Sequence, residues 1–428
     1  MKLNYKRTFF VGLAFMSICT FWQVYDTIIP LILKNSFGIG DTLSGTVMAM
    51  DNVLALFMLP LFGTLSDRTH TRIGRRMPYI VGGTLVSALL CVLLPIADNL
   101  RNLPFFFTVL ALVLVSMATY RSPAVALMPD VTPKPLRSKA NAVINLMGAV
   151  GGILSLVFIA VLVPKENPSY LPLFLCVAAV MLGCLIVLRL TVNEPKLRAQ
   201  RIETEKNAGI SDEDETDNHT PGGSERSLSG PERRSLILIL ASVFLWFFGY
   251  NAVTTAFSKY AQSYWGLQGG LFAYTLIVAQ AAAIATFIPM GQLASYVGRK
   301  RTILIGVALL TSVFASAYFF KSFSPLILVL FALAGIGWAA INVNSYPMVV
   351  ELSRGSNIGK YTGYYYTFSM LAQVVTPILS GYLLEHIGYH TLFPYGAVFA
   401  GLSFVTMLLV RHWDAKPAAK KLEAYEEM

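Results

Sequence analysis

Long apolar segments alternate with short polar loops along the whole chain. Each apolar segment holds roughly 20 residues with few charges, which is the length that an α-helix needs to cross the hydrocarbon core of a bilayer. About twelve segments lie near residues 8–33, 43–64, 77–97, 103–127, 140–163, 170–191, 236–261, 270–293, 302–320, 324–349, 361–384 and 390–411. The pattern predicts an all-α membrane protein with twelve transmembrane helices in two pseudo-symmetric six-helix bundles.

The composition agrees with a membrane location. Hydrophobic residues make up 55% of the 428 residues and charged residues only 13%, whereas a soluble domain carries roughly 25% charged residues. We therefore expect an integral, multi-pass protein whose helices contact the lipid bilayer.

The positive residues predict the orientation of the helices. Most of the 33 Lys and Arg residues fall in the N-terminus, the even-numbered loops or the C-terminus. The few on the opposite side are Lys34, Arg101, Lys165, Lys259 and Lys321. Because cytoplasmic loops are enriched in Lys and Arg, we expect both termini to be cytoplasmic and the protein to lie in a plasma (inner) membrane.

The same distribution of Lys and Arg accounts for the net charge of +10. It argues against nucleic-acid binding, which needs basic residues on one folded surface.

A polar segment separates the two sets of six helices. Residues 193–235 are rich in Glu, Asp, Lys, Arg, Gly and Pro and contain the acidic run 212–215. Such a segment cannot bury enough apolar surface to fold alone. We predict an N-terminal six-helix bundle at 1–192, a flexible cytoplasmic linker at 193–235, a C-terminal six-helix bundle at 236–411 and a cytoplasmic tail at 412–428.

A short basic loop occurs once in each half of the chain. The first copy runs from Gly63 to Arg76 and the second from Gly291 to Arg301. Duplication of this kind is typical of transporters that are built from two similar bundles. No Gly-rich phosphate loop with a Walker lysine is present to indicate ATP hydrolysis. We therefore expect a carrier and not an enzyme, with no catalytic residues.

The basic loop has the chemistry of a gate. Asp67 lies at a helix end, and the arginines beside it can form charge-assisted hydrogen bonds that hold helices together in one state and release them in another. The alternative is that the positive charge only sets topology. The predicted cytoplasmic gate comprises Gly63, Asp67, Arg68, Arg72, Gly74, Arg75, Arg76, Asp130, Gly291, Arg299, Lys300, Arg301 and Glu351. Ser295 stands where the second copy would repeat Asp67, so we expect two gates of unequal strength.

Two carboxylates at membrane depth are the candidates for ion coupling, because buried ionisable residues are costly and rarely face lipid. Asp26 lies in the outer half of the first helix and Asp51 near the middle of the second, at depths that could bring both into one cavity. Paired carboxylates raise each other's affinity for a proton, and with neighbouring oxygens they could instead hold sodium. The alternative for either residue is an interhelical hydrogen bond that only fixes packing.

Polar and aromatic residues near mid-membrane are candidates for solute binding. Trp22, Gln23 and Asp26 share one face of the first helix, and a ring beside an amide and a carboxylate suits a hydroxyl-rich ligand. Arg121 could pair with a carboxylate, contact the solute or extend to the inner interface, and ordinary packing is the alternative for the others. The predicted substrate-binding residues are Trp22, Gln23, Asn52, Tyr120, Arg121, Asn145, Trp246, Tyr250, Asn251, Gln280, Trp338, Asn342, Tyr366 and Gln373.

The duplicated loop resembles that of the major facilitator superfamily, whose members carry Gly-x-x-x-Asp-(Arg)-x-x-Gly-Arg-Arg/Lys between helices two and three and a weaker copy between helices eight and nine. Here about four extra residues separate Asp67 from Gly74. This longer form is similar to that of the glycoside/pentoside/hexuronide cation symporters and the sucrose/proton symporters, as is the segment from Tyr120 to Asn141. The resemblance implies the major facilitator fold, alternating access, a sugar-like solute and cation coupling.

These observations lead to one expected function and two alternatives. We expect a secondary active transporter that carries a sugar or glycoside in symport with a cation, proton or sodium, and that acts as a monomer without a cofactor or bound metal. The first alternative is a proton-coupled exporter of small amphipathic compounds, although the helix-five segment from Gly148 to Gly152 lacks the proline typical of such exporters. The second is a non-transporting sensor.

Overall fold

The computed structural model describes residues 3–133, 136–165, 169–207, 230–351 and 358–411, with the backbone only at 138, 350, 351 and 358–360. Within these residues the chain forms thirteen α-helices, one short 3₁₀ helix at Tyr389–Thr391 and no β-strand. The helices are α1 (Tyr5–Asn35), α2 (Asp41–Arg68), α3 (Met77–Asn99), α4 (Leu103–Val131), α5 (Arg137–Leu162), α6 (Leu171–Thr191), α7 (Glu194–Asn207), α8 (Gly230–Ser263), α9 (Ala273–Val297), α10 (Arg299–Ala317), α11 (Leu326–Glu351), α12 (Ile358–His386) and α13 (Leu392–Leu408).

All described helices except α7 are long and apolar enough to span a bilayer, which makes twelve candidate spans. A helix satisfies its backbone polar groups within its own segment, and the hydrocarbon core offers no other partner for them. Each predicted apolar segment overlaps one of these helices. The predicted all-α architecture with twelve transmembrane helices is confirmed, and the protein is an integral, multi-pass membrane protein.

The chain divides into two compact units whose limits differ from the predicted halves. Unit 1 comprises Met1–Ile39, Met50–Ser211 and Leu267–Tyr274, and unit 2 comprises Gly40–Ala49, Asp212–Gly266 and Thr275–Met428. Two short segments are thus exchanged: the start of α2 groups with unit 2, and the turn before α9 groups with unit 1. The order of apolar segments along the chain does not reveal this exchange, because it depends on close backbone contacts between distant residues.

In unit 1, α1 packs chiefly against α5, and α3 packs against α4. Small residues bring α1 and α5 together. A Cβ atom at Gly151 would lie 2.5 Å from the Met16 carbonyl oxygen, and the Ser155 hydroxyl donates to the Thr20 carbonyl at 2.7 Å. Close backbone approach of this kind is what drives helix association in lipid, where burial of apolar surface adds little.

In unit 2, α8 packs against α12 and α13, and α10 packs against α11 and α13. Glycines again allow a close crossing, here between α10 and α11. A Cβ atom at Gly306 would lie 2.6 Å from the Gly337 carbonyl oxygen, and one at Gly337 would lie 2.8 Å from the Gly306 carbonyl oxygen. The Thr376 hydroxyl donates to the Phe248 carbonyl at 3.3 Å and ties α12 to α8.

The predicted flexible linker at 193–235 differs from the structure at both ends. Only two residues separate the end of α6 from the start of α7, and α8 begins at Gly230. Helix α7 is polar along its length, but Glu194 and Glu205 are buried and the Arg201 Nη1 donates to the Pro129 carbonyl at 3.3 Å. A polar composition therefore does not distinguish a docked surface helix from a linker. Residues 208–229, with the acidic run, and the predicted tail at 412–428 lie outside the described residues.

Candidate functional site

The first basic loop forms an ionic network in unit 1. The Nε atoms of Arg75 and Arg76 both donate to Asp130 Oδ2, at 2.9 and 2.8 Å, so Asp130 at the end of α4 joins the start of α3 to α4. Arg76 also donates to Asp67 at the end of α2 and, at 3.2 Å, to the Gly63 carbonyl. The Arg76 and Asp130 side chains are 6% and 10% exposed. The predicted cluster of Asp67, Asp130 and the two arginines therefore connects the ends of three helices.

The charge on Arg75 is fixed by its surroundings. Burial alone would lower the pKa of the Arg75 guanidinium, but its hydrogen bond to Asp130 and the charges of Asp130, Asp67 and Glu194 outweigh burial and raise that pKa above its ordinary value. An arginine already stays protonated at any physiological pH. Arg75 therefore acts as a permanent positive charge in the network.

Glu194 completes this network and is absent from the residues predicted from the sequence. Its carboxylate accepts the backbone N–H groups of Arg75, Arg76 and Met77 at 2.9, 3.0 and 2.8 Å, and the residue is 1% exposed. These are unpaired donors at the start of α3, where the helix dipole also favours an anion. Gly74 has φ of +124°, and a Cβ atom there would overlap the Glu194 carboxylate. A glycine is therefore needed at this position for both its φ angle and its lack of a side chain.

A sequence signal for Glu194 exists. The run Asn193-Glu194-Pro195 follows directly after an apolar segment, and the Asn193 side chain accepts the backbone N–H of Lys196. An Asn cap, followed by an acidic residue and a proline in the first turn, is typical of a helix N-terminus. The signal predicts a new helix at 194, although it does not predict what the Glu194 carboxylate binds.

Two other predicted residues of the first loop, Arg68 and Arg72, lie outside the network. Arg68 and Arg72 are exposed, and in the described part of the chain neither is joined to Asp67 or Asp130. Gly63 contributes its carbonyl to Arg76, and a Cβ atom there would lie 3.0 Å from the Ser122 hydroxyl.

The second basic loop is built differently. Lys300, predicted as a gate residue, directs its Nζ to the carbonyls of Leu408 and Val410 at 3.1 and 2.5 Å and so caps the end of α13. The Ser295 hydroxyl donates within α9, to the Gly291 carbonyl at 3.3 Å. A cation at a helix C-terminus meets carbonyls without intrahelical partners and the negative end of the dipole. Arg299 is half-buried, Arg301 is exposed, and the side chain of Glu351 lies outside the described part of the structure.

Five predicted residues of unit 1, Trp22, Asp26, Asp51, Asn52 and Arg121, come together at membrane depth. The Arg121 guanidinium carbon lies 5.3 Å from the centre of the Trp22 ring. Asp51 and Arg121 are near enough to Asp26 for their charges to act on it. The Asn52 amide donates to Asp51 Oδ1 at 2.8 Å. The closest group described for the Arg121 guanidinium is thus the Trp22 ring, and the three candidate roles of Arg121 stay predictions.

Three other predicted residues of unit 1 are placed elsewhere. Tyr120 is fully buried and its hydroxyl lies 3.4 Å from the Met117 sulfur. A Cβ atom at Gly83 would overlap the Tyr120 ring, so Tyr120 fills the contact between α3 and α4. Asn145 is exposed on α5, and Gln23 is half-buried on α1 beside Trp22. The helical position of Tyr120 does not reveal which neighbour its ring faces.

Aromatic rings dominate the predicted site in unit 2. Tyr250 of α8 and Trp338 of α11 stack with their ring centres 3.7 Å apart and their planes 2° apart, and Phe247 meets Trp338 edge-on at 5.4 Å. Trp246, by contrast, is 1% exposed. Trp246 therefore lies in the core of unit 2, while its neighbours Tyr250 and Trp338 remain half-buried.

The predicted polar residues of unit 2 have varied surroundings. The Gln373 amide donates to the Ser369 carbonyl at 3.3 Å. Gln280 is half-buried on α9, whereas Asn342 on α11 and Tyr366 on α12 are exposed. Among the residues that the structure describes, the buried N–H groups of Trp22, Trp246 and Asn251 have no hydrogen-bond partner. Unpartnered buried donors are uncommon in folded proteins and mark places where a polar ligand can bind.

Metal-ligating side chains do not cluster in the described residues: no group of three or more His, Cys, Asp or Glu is positioned to hold a metal ion. The predicted coupling residues Asp26 and Asp51 are carboxylates within the spanning helices α1 and α2. Two carboxylates near one guanidinium have the chemistry to hold a proton or a small cation, and coupling through Asp26 and Asp51 stays a prediction.

Comparison with known proteins identifies the family. The family model described as Major Facilitator Superfamily matches residues 11–295 and 266–427. The nucleoside transporter NupG, in the crystal structure of a point mutant, superimposes with a TM-score of 0.69 at 13% identity and covers 96% of this chain and 100% of its own. At that identity the likeness shows the fold alone.

Curated relatives are also transporters by name. The uncharacterized symporter YnaJ of Bacillus subtilis is 23% identical over 86% of this chain and 80% of its own length. The isoprimeverose transporter of Lactiplantibacillus pentosus is 20% identical over 67% of this chain and 59% of its own. The uncharacterized MFS-type transporter C18.02 of Schizosaccharomyces pombe is 31% identical, but the match spans only 29% of its length. The twelve spanning helices, the duplicated basic loop and the family match agree: this chain is a transporter and not an enzyme, and it belongs to the Major Facilitator Superfamily.

Proposed function

We propose that this transporter carries a sugar or glycoside by alternating access, in symport with a proton. The observation that carries the proposal is the grouping of Asp26, Asp51 and Arg121 beside the Trp22 ring in unit 1. Relatives that are named as a symporter and as an isoprimeverose transporter support it. The proposed partners are a small-molecule solute, the coupling cation and the lipid bilayer, with no cofactor and a monomeric chain.

The charges in unit 1 account for coupling. Two carboxylates and one guanidinium leave one negative charge in a medium where an unpaired charge is costly. A proton on Asp26 or Asp51 removes that charge and lets Arg121 pair with the other carboxylate. When the proton leaves, both carboxylates are charged and both attract the Arg121 guanidinium. The protonation state therefore determines which carboxylate Arg121 pairs with, and such a link between protonation and side-chain arrangement is what symport requires.

Rings and amides account for solute binding. A sugar presents hydroxyls to polar groups and an apolar face to an aromatic ring. In unit 1 Trp22 supplies a ring beside charged groups, and in unit 2 Tyr250 and Trp338 supply rings near the Asn251 amide. The proposed division of labour gives coupling to unit 1 and most of the solute contacts to unit 2.

The basic loops account for orientation and gating. Under the positive-inside rule the loops and both termini are cytoplasmic and the protein lies in a plasma membrane. The Asp67–Arg76–Asp130 network then lies on the cytoplasmic side, where it closes one access route by joining helix ends and opens it when the hydrogen bonds exchange.

Uptake into proteoliposomes tests the proposal. Radiolabelled mono- and disaccharides are offered under an inward proton gradient, an inward sodium gradient or neither, to the parent protein and to Asp26→Asn and Asp51→Asn. We expect proton-driven accumulation of at least one sugar, lost in one or both variants while solute binding persists. Asp98→Asn is the matched control, because Asp98 is a buried carboxylate at the end of α3, away from the proposed site, and should still accumulate sugar.

Three outcomes would redirect the proposal. Accumulation under the sodium gradient alone would assign sodium as the coupling ion. Equal losses in Asp98→Asn would show that the two substitutions act on folding. Failure of every sugar to move under either gradient would refute sugar symport and favour the exporter of amphipathic compounds.

A further inference from the structure

A buried ion pair fastens the first turn of α2 inside unit 2. Lys259 Nζ on α8 lies 2.7 Å from Asp41 Oδ1, and the two side chains are 4% and 8% exposed. The Tyr389 hydroxyl donates to Asp41 Oδ2 at 2.6 Å, and Lys259 also reaches the Ser44 hydroxyl at 3.5 Å. Asp41 therefore receives a charge and a hydrogen bond from two other parts of unit 2.

A buried ion pair adds little stability to a permanently closed helix contact. Desolvation of both charges offsets most of their attraction, and well-packed apolar residues at such a place are often as stable or more so. An ion pair is, however, compatible with a helix contact that opens and closes. Each charge is hydrated again when the contact opens, and the two charges fix how the helices align when it closes. Removing only one partner strands the other charge, so the closed arrangement depends on both.

The contact between α2 and α12 around this ion pair is made by backbone atoms, so it can separate without repacking of side chains. A Cβ atom at Gly45 would overlap the Pro377 carbonyl oxygen, and one at Gly381 would overlap the Asp41 carbonyl oxygen. Helices α2 and α12 therefore touch through backbone at these points, without interlocking side chains. The exposed Glu385 accepts the backbone N–H of Thr42 at 2.8 Å and caps the first turn of α2. A small cavity beside this turn is lined by Gly45, Ala256 and Lys259 among others.

The equivalent segment of the other half has the backbone contacts without the charges. Residues 267–274 comprise the turn before α9, the copy of α2, and the first two residues of α9, and they group with unit 1. The Gly270 N–H donates to the Val163 carbonyl at 3.2 Å. Cβ atoms at Gly269 and Gly270 would overlap backbone atoms of Pro164 and Ile159. Residues 267–274 themselves include no charged side chain.

We propose that Asp41, Lys259 and Tyr389 form a charged latch that holds the first turn of α2 closed against α8 and α12, and that the turn before α9 is its uncharged counterpart. The latch lies at the end of α2 opposite the basic loop, so it controls access from the other side of the membrane. The proposal rests on the alternating access of the proposed function, although it does not depend on the solute or the coupling ion.

Cysteine accessibility in the full-length protein in proteoliposomes tests the latch. The four free cysteines, Cys19, Cys91, Cys176 and Cys184, are first replaced by serine. One reporter, Ala256→Cys, lies in the cavity beside Lys259, and a second, Ala273→Cys, lies at the start of α9. Both alanines are buried, so each reporter needs local opening to react with N-ethylmaleimide.

We expect Lys259→Met to raise the alkylation rate of the Ala256→Cys reporter by at least about tenfold, since it strands a buried carboxylate in the closed state. The charge-swapped pair Asp41→Lys with Lys259→Asp should return the rate to within about threefold of the parent. Lys321→Met is the matched control, because Lys321 is exposed and its loss should leave the rate unchanged. The Ala273→Cys reporter should not respond to Lys259→Met.

An unchanged rate at the Ala256→Cys reporter, or an equal rise at both reporters, would overturn the latch. If Lys259→Met does not fold, Tyr389→Phe removes one hydrogen bond and should raise the rate at the first reporter by about threefold; no rise would overturn the proposal equally. Alkylation needs no transported solute. A chain that opens as expected but moves no sugar would therefore keep the latch and refute sugar symport.

Discussion

The two basic loops share a sequence pattern but hold their helices by different means. In the first loop Arg75 and Arg76 converge on Asp130, while Glu194 accepts three backbone N–H groups at the start of α3. In the second loop Lys300 binds two carbonyls at the end of α13. One loop is an ionic network and the other is a helix cap.

The carboxylates account for the difference. Asp67, Asp130 and Glu194 supply full negative charges to the first loop, and an arginine fork binds a carboxylate more strongly than a neutral carbonyl. Where Ser295 replaces the aspartate, the nearest strong acceptors of Lys300 are the unpaired carbonyls at a helix end. A duplicated basic motif therefore predicts where positive charge lies, and its acidic neighbours decide what that charge does.

The largest expected effect comes from Arg76→Met. The substitution leaves Asp130 with one partner fewer and removes the contact to Asp67, so we expect a loss of about 3 kcal/mol in stability. The measurement is the thermal unfolding of the purified protein in detergent. Arg72→Met is the matched control, because Arg72 is exposed in the same loop and its loss should stay within about 0.5 kcal/mol. Equal unfolding temperatures for the two variants would contradict the ionic network.

A smaller effect is expected for Glu194→Gln. Glutamine keeps an acceptor for the start of α3 but removes the negative charge that faces the helix dipole, Arg75 and Arg76, which should cost about 1–2 kcal/mol. The same unfolding measurement applies. Glu203→Gln changes an exposed carboxylate of the same helix and should be nearly neutral. A Glu203 variant as unstable as the Glu194 variant would show that α7 tolerates no charge loss anywhere.

The smallest effect is expected for Lys300→Met. It removes a cation from the end of α13 but strands no buried carboxylate in the described residues, so we expect a loss of about 0.5–1 kcal/mol. Arg301→Met, at an exposed neighbour, is its control. A loss as large as that of Arg76→Met would mean that the second loop is also an ionic network, and the contrast between the two loops would fail.

Much of this architecture is predictable from the sequence because a bilayer demands it. A helix must span the hydrocarbon core with apolar side chains, so run length predicts the twelve spans. Asp67 and Arg76 are close in sequence across one short loop, and their pairing follows from that proximity. The contacts of Glu194 and Lys300 join residues that are far apart in the sequence, and no local pattern predicts such partners.

The remaining differences have a similar cause. Residues 40–49 and 267–274 are exchanged between the units because their glycines allow close contact with the backbone of another helix. The spacing of apolar residues does not predict where two helix backbones cross. The depth of Tyr120 makes it a candidate for solute binding, but depth does not specify which helix its ring faces. Packing in three dimensions decides both.

The stack of Tyr250 on Trp338 provides the protein with its own optical reporter. Rings whose centres are 3.7 Å apart leave no room for a molecule between them, so a solute that uses either inner face must first part them. The fluorescence of an indole changes when the group against its face changes. The chain has five tryptophans. Replacing Trp246, Trp265 and Trp413 with phenylalanine would leave Trp22 and Trp338, the two indoles of the proposed site, as the emitters, so that solute entry could be followed in real time without a label.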